Sequence, residues 1–357
     1  MNGLSASRFQ NILKVLKAQK LDCLLLSNGP NVSYAAGFLA PDSYLIASVN
    51  NLTLITDFRY SADFRSKAEP HVKIIEAQGG TFRAICEILR KNKLTKVGFE
   101  SRHLSFAECQ ALLDLSKKKI TWIPLEETLE PLRQIKEAAE TEQIRKAIQI
   151  TEKTYDFLKP LLKPGIRELE LAAEIERFIR LQGATSAAFD IIVASGPNSS
   201  YPHASISPRI IKEGEPVVID LGVTYNGYKC DLTRTFFLGK INAIIRKAEM
   251  IVKEAQQRAI KAIKTDVPIN LIDGAARNYI SLKGFGKNFG HSLGHGIGLE
   301  VHEAPSINKR NRLLLKKGMI FTVEPGIYVP GSFGIRWEDM VLVTDNGAEV
   351  LSGNSRH

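Results

Sequence analysis

Cysteine is scarce in this sequence, and the residues present are far apart: Cys23, Cys86, Cys109 and Cys230. None belongs to a CxxC pair, which argues against a zinc ribbon or a thioredoxin-like redox site. A disulfide framework is typical of small secreted chains, whereas this chain has 357 residues. We therefore expect four reduced, packed thiols.

Long apolar runs are also absent, since no segment approaches the roughly 20 residues that cross a bilayer. The segment 1–20 predicts an amphipathic helix, and it lacks the uninterrupted apolar centre and small-residue cleavage site of a secretory signal. We therefore expect no membrane partner and a cytoplasmic location.

Acidic residues are outnumbered, with 48 Lys and Arg against 38 Asp and Glu, a formal net charge of +10. The excess is spread along the chain, because residues 1–130 contain 17 basic and 13 acidic residues and the remainder contains 31 and 25. The densest basic runs, Lys117–Lys119 and Lys309–Arg312, are short and have no interleaved aromatics. A nucleic-acid platform concentrates basic residues beside stacking rings. We therefore predict a solvated basic surface and no nucleic-acid partner.

The length suits two domains. Short apolar strands alternate with helical periodicity in the first third, which predicts an α/β domain over residues 1–125. The acidic segment IPLEETLEPL predicts a linker over 126–136. Long helices and antiparallel-looking strands over 137–357 predict an α+β domain. Strands are predicted at 22–27, 43–48, 52–56, 97–100, 189–194, 216–223, 228–238, 319–324 and 335–344, and helices at 60–68, 81–91, 105–115, 137–162, 168–183, 244–264 and 271–282.

Two aspartates lie on a predicted hairpin in VVIDLGVTYNGYKCDLTRTF. Asn226-Gly227 between two tyrosines is a strong signal for a two-residue turn. Counting outward from the turn pairs Asp220 with Thr233 and places Asp220 and Asp231 on one face as diagonal neighbours. Two carboxylates aimed at one point repel each other unless a cation lies between them. The alternative is a different register with one aspartate exposed.

The segment GHSLGHGIGLEVHE contains three of the seven histidines, His291, His295 and His302. Its four glycines indicate irregular backbone that passes close to another group. Farther on, Glu324 ends an apolar strand and Glu338 lies inside another. A buried carboxylate needs a partner, which for Glu338 is either a metal ion or a salt bridge with Arg336. Manganese, cobalt and zinc all accept imidazole beside carboxylate.

In order and spacing, VVIDLGVTYNGYKCDLTRT, GHSLGHGIGLEVHE, TVEPGIY and GIRWEDMVLVT resemble the metal-binding motifs of the pita-bread metallopeptidase family. DCLLLSNGPNVSYAAGF and LITDFRY resemble the N-terminal domain of its Xaa-Pro branch, which contains aminopeptidase P and prolidase. LRQIKEAAETEQIRKA resembles the start of the catalytic domain, so the resemblance covers nearly the whole chain. It implies an α+β fold in which a C-terminal pita-bread (creatinase/aminopeptidase) catalytic domain follows a smaller α/β creatinase-type domain.

Carried over residue by residue, the resemblance implies two divalent metal ions held by Asp220, Asp231, His295, Glu324 and Glu338. Asp231 would bridge both ions, and Glu324 would also shuttle a proton to the leaving amine. The resemblance further implies that His291 and His302 stabilise the tetrahedral species and that His203 and Arg336 bind substrate. Manganese is expected first, with cobalt, zinc or iron as alternatives. A homodimer is expected from the same branch.

These roles imply hydrolysis of the Xaa-Pro bond at the N-terminus of proline-containing peptides, by attack of a metal-bridging hydroxide. One departure concerns substrate length, because Ser306 in VHEAPSIN stands where dipeptidases of this branch often carry an arginine. Without that charge for a free carboxylate, we expect aminopeptidase P-like cleavage of longer peptides, with prolidase (Xaa-Pro dipeptidase) as the alternative. Methionine aminopeptidase and an inactive binding module of the same fold are further alternatives.

Overall fold

The structure is a computed structural model that describes residues 6–353, so the start of the predicted N-terminal helix lies outside the described range. The chain divides into two units, Met1–Arg133 and Gln134–His357. The sequence-based boundaries at 125 and 137 stay predictions. None of the helices within 6–353 is long and apolar enough to cross a membrane.

Unit 1 contains one mixed sheet with helices. Its strands, in the order β4-β3-β2-β1-β5-β6, are β1 Cys23–Leu26, β2 Tyr44–Ser48, β3 Leu52–Thr56, β4 Val72–Glu76, β5 Lys96–Glu100 and β6 Thr121–Leu125. Its helices are α1 Ala6–Gln19, α2 Gly29–Ala36, α3 Phe58–Lys67, α4 Thr81–Lys91, α5 Phe106–Ser116 and α6 Glu130–Arg133.

Strand β1 is central in this sheet and pairs antiparallel with β2 and parallel with β5. All four of its residues are buried, which explains its continuous apolar sequence. Strands β4 and β6 and helices α2 and α6 were not predicted from the sequence. Strand β6 contains Pro124 and lies at the edge of the sheet, where a missing N–H is tolerated. Helix α2 starts with Gly29-Pro30, a turn signal that is also compatible with a first helical turn.

Unit 2 contains four longer helices, α7 Ala138–Leu158, α8 Glu168–Leu181, α9 Ala243–Ala262 and α10 Ile269–Leu282. Its strands are β7 Ser186–Ala187, β8 Ile192–Ser195, β9 Pro216–Leu221, β10 Val223–Tyr225, β11 Tyr228–Lys229, β12 Leu232–Phe237, β13 Gly294–Gly296, β14 Glu303–Ile307, β15 Ile320–Val323, β16 Gly326–Val329, β17 Phe333–Arg336, β18 Asp339–Thr344 and β19 Gly347–Val350. They form sheets in the orders β12-β9-β8, β14-β13-β15-β18-β19, β11-β10-β7 and β16-β17.

Helices α9 and α10 cover one core of unit 2. In α10, Ile269, Ile272, Ala276 and Ile280 are buried, a spacing that places them on one helical face. They belong to the same buried cluster as residues of β15 and β18. The packed helices therefore support β15 and β18.

Three segments predicted as single strands are interrupted in the structure. The predicted strand 335–344 breaks at Trp337 and Glu338, so that β17 and β18 belong to different sheets. The segment 325–334, in which no strand was predicted, contributes to the hairpin of β16 and β17. The interruption leaves Glu338 outside both strands, where its carboxylate turns toward the cavity described below.

Candidate metal centre

The aspartate hairpin has the predicted register. Asn226 and Gly227 have φ values of 48° and 84°, as a type I′ turn requires. Asp220 pairs with Thr233, as the count from the turn predicted. The strands come so close between these pairs that a Cβ on Gly222 would lie 1.8 Å from the Cys230 carbonyl oxygen. A glycine is therefore required beside the two aspartates.

The side chains of the predicted ligands meet in unit 2. Asp231, His295 and Glu338 each present a ligand atom, all within 4.8 Å of one another. His295 Nε2 lies 3.4 Å from Asp231 Oδ2 and 3.5 Å from Glu324 Oε1. Asp220 lines the same cavity. Five residues from four separate chain segments thus converge on one place.

Thr322 helps to place two of these side chains. Its Oγ1 accepts a hydrogen bond from the His295 main-chain N–H at 3.1 Å and donates one to Glu324 Oε1 at 3.3 Å. Strand β13 passes so close to β15 here that a Cβ on Gly294 would lie 1.9 Å from the Thr322 carbonyl oxygen. The expectation that glycines allow close backbone approach in this segment is therefore confirmed at Gly294.

The carboxylates are held in an environment that disfavours their negative charge. Burial, with repulsion from Asp220 and Glu324, raises the pKa of Asp231 well above its ordinary value. Burial and the charge of Asp231 do the same to the pKa of Glu338, and burial raises the pKa of Glu324 to about 7. Burial and mutual repulsion thus both disfavour the ionised carboxylates here, and a bound cation would offset both effects.

Three carboxylate oxygens at this place are buried without a hydrogen-bond partner among the described residues: Asp220 Oδ1, Asp231 Oδ1 and Glu338 Oε1. An unpartnered buried carboxylate oxygen is costly unless it coordinates a cation. The donor set of oxygens with one imidazole is also one that manganese, cobalt, zinc or iron accepts. The residues present therefore fit divalent metal ions.

Arg336 forms a buried salt bridge with Asp220 of β9. The salt bridge between Arg336 and Glu338 that the sequence left open is not formed; Arg336 Nη2 instead donates to Asp220 Oδ2 at 2.6 Å. Its Nε donates to Thr233 Oγ1 at 2.9 Å, and Thr233 Oγ1 donates to Glu338 Oε2 at 2.7 Å. One buried arginine thus orients two predicted ligands.

His291 belongs to the same network. Its Nδ1 lies 2.8 Å from the carbonyl oxygen of Ser292, which can only accept, so Nδ1 carries the proton. Burial lowers the pKa of His291 to about 4, which leaves Nε2 as an acceptor at neutral pH. The Tyr328 hydroxyl, 3.1 Å from Nε2, therefore donates to His291 and accepts from Arg336 Nη1 at 2.8 Å. Both ring nitrogens of His291 are engaged by protein groups.

The two remaining predicted histidines are exposed to the cavity. The His302 ring lies 4.3 Å from that of His295 in an edge-to-face arrangement. Partial loss of solvent around the ring, together with repulsion from His295, lowers the pKa of His302. The carbonyl oxygen of Pro202, next to His203, accepts from Arg336 Nη1 at 3.0 Å. A cavity of about 800 Å³ is lined by all nine predicted site residues.

Comparison with known proteins decides the family. Residues 142–345 match the family described as metallopeptidase family M24, and residues 8–135 match the creatinase/prolidase N-terminal domain. The chain belongs to metallopeptidase family M24. Its membership makes the chain a metallo-exopeptidase that uses divalent metal ions.

Relatives within family M24 confirm the predicted Xaa-Pro branch and pita-bread fold. An Xaa-Pro dipeptidase from Pyrococcus furiosus is 36% identical over 352 residues, 98% of each chain. The structure of an Xaa-Pro dipeptidase from Bacillus anthracis matches with a TM-score of 0.94 and 36% identity over 98% of each chain. An X-Pro aminopeptidase from Thermotoga maritima MSB8 matches with a TM-score of 0.89 and 35% identity, over 96% of this chain and 99% of that one.

Tyr328 and Thr233 belong to the site of this M24 enzyme, although neither was predicted from the sequence. Tyr328 was visible only as the last residue of TVEPGIY. Its hydroxyl matters because it joins His291 to Arg336, which are 45 positions apart in the chain. Such a contact depends on the β16–β17 hairpin, which no local pattern revealed.

We expect Tyr328→Phe to lower kcat/KM by roughly 10- to 100-fold, because Arg336 and His291 would lose the hydroxyl that joins them. Steady-state kinetics on an Xaa-Pro peptide, with metal saturating, measures the effect. Tyr279→Phe is the control, since Tyr279 lies on α10 and does not line the cavity. Equal activity of the two variants would show that the hydroxyl does not support the site.

Proposed function

We propose that this chain is an Xaa-Pro dipeptidase, which hydrolyses the bond between an N-terminal residue and a C-terminal proline. The observation that carries the proposal is the convergence of four carboxylates and one imidazole in an open cavity. The dipeptidases from Pyrococcus furiosus and Bacillus anthracis support the dipeptide over the longer peptides that Ser306 led us to expect. The sequence-based alternative is therefore the better supported substrate.

We propose that Asp220, Asp231, His295, Glu324 and Glu338 hold two divalent cations, with manganese first and cobalt, zinc or iron as alternatives. When bound, such a pair lowers the pKa of coordinated water and polarises the scissile carbonyl. The carboxylates contribute four negative charges, which two divalent cations balance. The raised pKa values of Asp231 and Glu338 support this pairing, since they express charge that the protein alone leaves uncompensated.

Glu324 is the proposed proton carrier. Its carboxylate lines the cavity and accepts a hydrogen bond from Thr322 Oγ1, which orients it. The leaving nitrogen of proline has no hydrogen of its own in the peptide bond and must gain a proton to depart. A carboxyl group held beside the scissile bond supplies it.

His302 and His203 are the proposed contacts to substrate. Both imidazoles are exposed and line the cavity, so either can donate a hydrogen bond to a carbonyl or carboxylate oxygen. We assign His291 and Arg336 a different role from the one first expected. Their polar atoms bind Ser292, Tyr328, Thr233 and Asp220, and they act by positioning Asp220.

An Xaa-Pro aminopeptidase that cleaves longer peptides is the second candidate, and one observation favours it. Among the described residues that line the cavity, Arg336 is the sole lysine or arginine, and it is paired with Asp220. The free carboxylate of a dipeptide therefore meets Ser306 and histidines, and no uncommitted cation. The Thermotoga maritima relative, an X-Pro aminopeptidase, has a comparable degree of identity.

A peptide panel separates these candidates. We expect Leu-Pro and Ala-Pro to be hydrolysed with kcat/KM at least about tenfold above Leu-Pro-Gly and Ala-Pro-Gly, with manganese, cobalt and zinc tested in parallel. The reverse order would establish the aminopeptidase instead. Cleavage of Met-Ala-Ser together with inert Xaa-Pro peptides would contradict both. We also propose a homodimer, which light scattering of the purified chain tests.

A further inference from the structure

The segment that carries His291 has little main-chain support of its own. It runs from Phe289 to Ser292, between a short 3-10 helix at Gly286–Asn288 and strand β13. Within the part of the chain that the structure describes, no main-chain hydrogen bond joins these four residues to other main-chain atoms. The sheet begins to hold the chain only at Leu293, whose N–H donates to the Ile307 carbonyl oxygen at 2.8 Å. The position and orientation of His291 must therefore be fixed by side-chain contacts.

Arg277 of helix α10 provides that support. Its Nη1 donates to the Phe289 carbonyl oxygen at 3.0 Å, and its Nη2 donates to the His291 carbonyl oxygen at 2.8 Å. The guanidinium also lies over the Phe289 ring, 4.2 Å from its centroid. Two main-chain carbonyl groups of the segment are thus bound to one planar guanidinium, which a lysine could not reproduce.

The guanidinium is itself held by Asp273, one helical turn earlier. Nε donates to Asp273 Oδ2 and Nη2 to Asp273 Oδ1, both at 2.7 Å. The Asp273 side chain is fully buried and that of Arg277 is 20% exposed, and the two parallel hydrogen bonds fix the orientation of the guanidinium. The two residues share the apolar helix α10, whose buried face anchors them to the core.

We propose that Asp273 and Arg277 are positioning residues that set the place of His291 and, through it, of Asp220. The path is continuous: the Ser292 carbonyl fixes the His291 ring, Nε2 receives the Tyr328 hydroxyl, and Arg336 joins that hydroxyl to Asp220. This positioning role rests on the proposed function, because its effect on kcat/KM is measured with an Xaa-Pro peptide. Neither residue lines the cavity, so both act only through this path.

The competing explanation is that the Asp273–Arg277 pair only stabilises the fold. A double-mutant cycle with His291→Ala separates the two, because residues that act through one another give non-additive effects and independent ones multiply. Arg277→Lys keeps the charge beside Asp273 but removes the planar fork. Asp273→Asn is a second variant of the same pair. Circular dichroism shows whether each variant is folded, and the cycle is measured on a variant that is.

Arg258→Lys is the matched control. Arg258 forms the same kind of pair with Glu254, at i and i−4, with Nε 2.8 Å from Oε1. Its guanidinium also lies over an aromatic ring, 4.3 Å from the centroid of Tyr279. It differs from Arg277 in being half-exposed and in binding none of the cavity segment. We expect this control to leave kcat/KM and metal affinity unchanged.

We expect Arg277→Lys to lower kcat/KM on Leu-Pro roughly tenfold in the wild-type background and less than about twofold in His291→Ala. The Kd for Mn²⁺, from calorimetry on the metal-free full chain, should rise in the wild-type background and change much less in His291→Ala. Equal losses in both backgrounds would overturn the proposal. If the wild-type chain cleaves no Xaa-Pro peptide, the proposed function fails, and the Mn²⁺ cycle alone decides the positioning role by the same criterion.

Discussion

Asp231→Asn is expected to lower kcat/KM by about a thousandfold or more while leaving the fold intact. Asp231 would hold the proposed cations with a negative charge, and a neutral amide of the same shape could not balance their charge. The amide suits the metal-free fold better than the carboxylate does. Because the pKa of Asp231 is raised well above its ordinary value, its ionised form costs folding free energy at neutral pH, and this cost disappears in acid, where the group is protonated in both states.

Two measurements on this variant together test the role of Asp231 as a metal ligand. Calorimetric unfolding of metal-free protein at pH 7 should give a Tm equal to or above that of the wild type, while the increase in Tm on adding manganese should be lost. Asp156→Asn is the control, since Asp156 is an exposed residue of α7 that pairs with Lys159 at 2.9 Å. Near-normal turnover by Asp231→Asn would contradict the assignment of Asp231 as a ligand.

Removing metal is expected to abolish activity and to lower Tm by roughly 5–10 °C relative to protein with metal at about 100 times its Kd. The cause is that bound cations relieve the repulsion among Asp220, Asp231, Glu324 and Glu338, which are buried together. Dialysis against a chelator followed by readdition of manganese measures both changes, and both should reverse.

Full activity after chelation, with no change in Tm, would contradict the metal-dependent mechanism. A chain that binds no metal and cleaves no peptide would instead fit the inactive binding module considered from the sequence. The magnitude of the Tm shift also separates the five-ligand site from adventitious binding. Ions on exposed acidic residues would contribute little to stability, whereas buried ligands couple metal affinity to folding.

The aspartate hairpin shows what the sequence can predict. Asn226-Gly227 specifies a two-residue turn, and the alternation of strand side chains then fixes which residues face each other. Both requirements are local, so counting outward from the turn gave the observed pairing of Asp220 with Thr233. The long periodic helices and the apolar β1 were predictable for the same reason.

The network around the ligands could not be predicted in this way. The sequence left a salt bridge between Arg336 and Glu338, two residues apart, as the alternative to a metal ion, but the strand breaks between them and Arg336 reaches Asp220, which lies 116 positions earlier. In the sequence, Asp273 and Arg277 are simply four positions apart in a predicted helix, a spacing typical of an ordinary ion pair. Their hold on the His291 segment depends on how α10 packs, and that is a property of the whole unit.

Anomalous diffraction from crystals of the manganese-loaded chain would show directly whether the five side chains surround two ions. We expect two peaks roughly 3.5–4 Å apart, with Asp231 contacting both and Asp220, His295, Glu324 and Glu338 completing the coordination. Peaks elsewhere on the chain, or five side chains that surround no ion under saturating manganese, would contradict the proposed coordination.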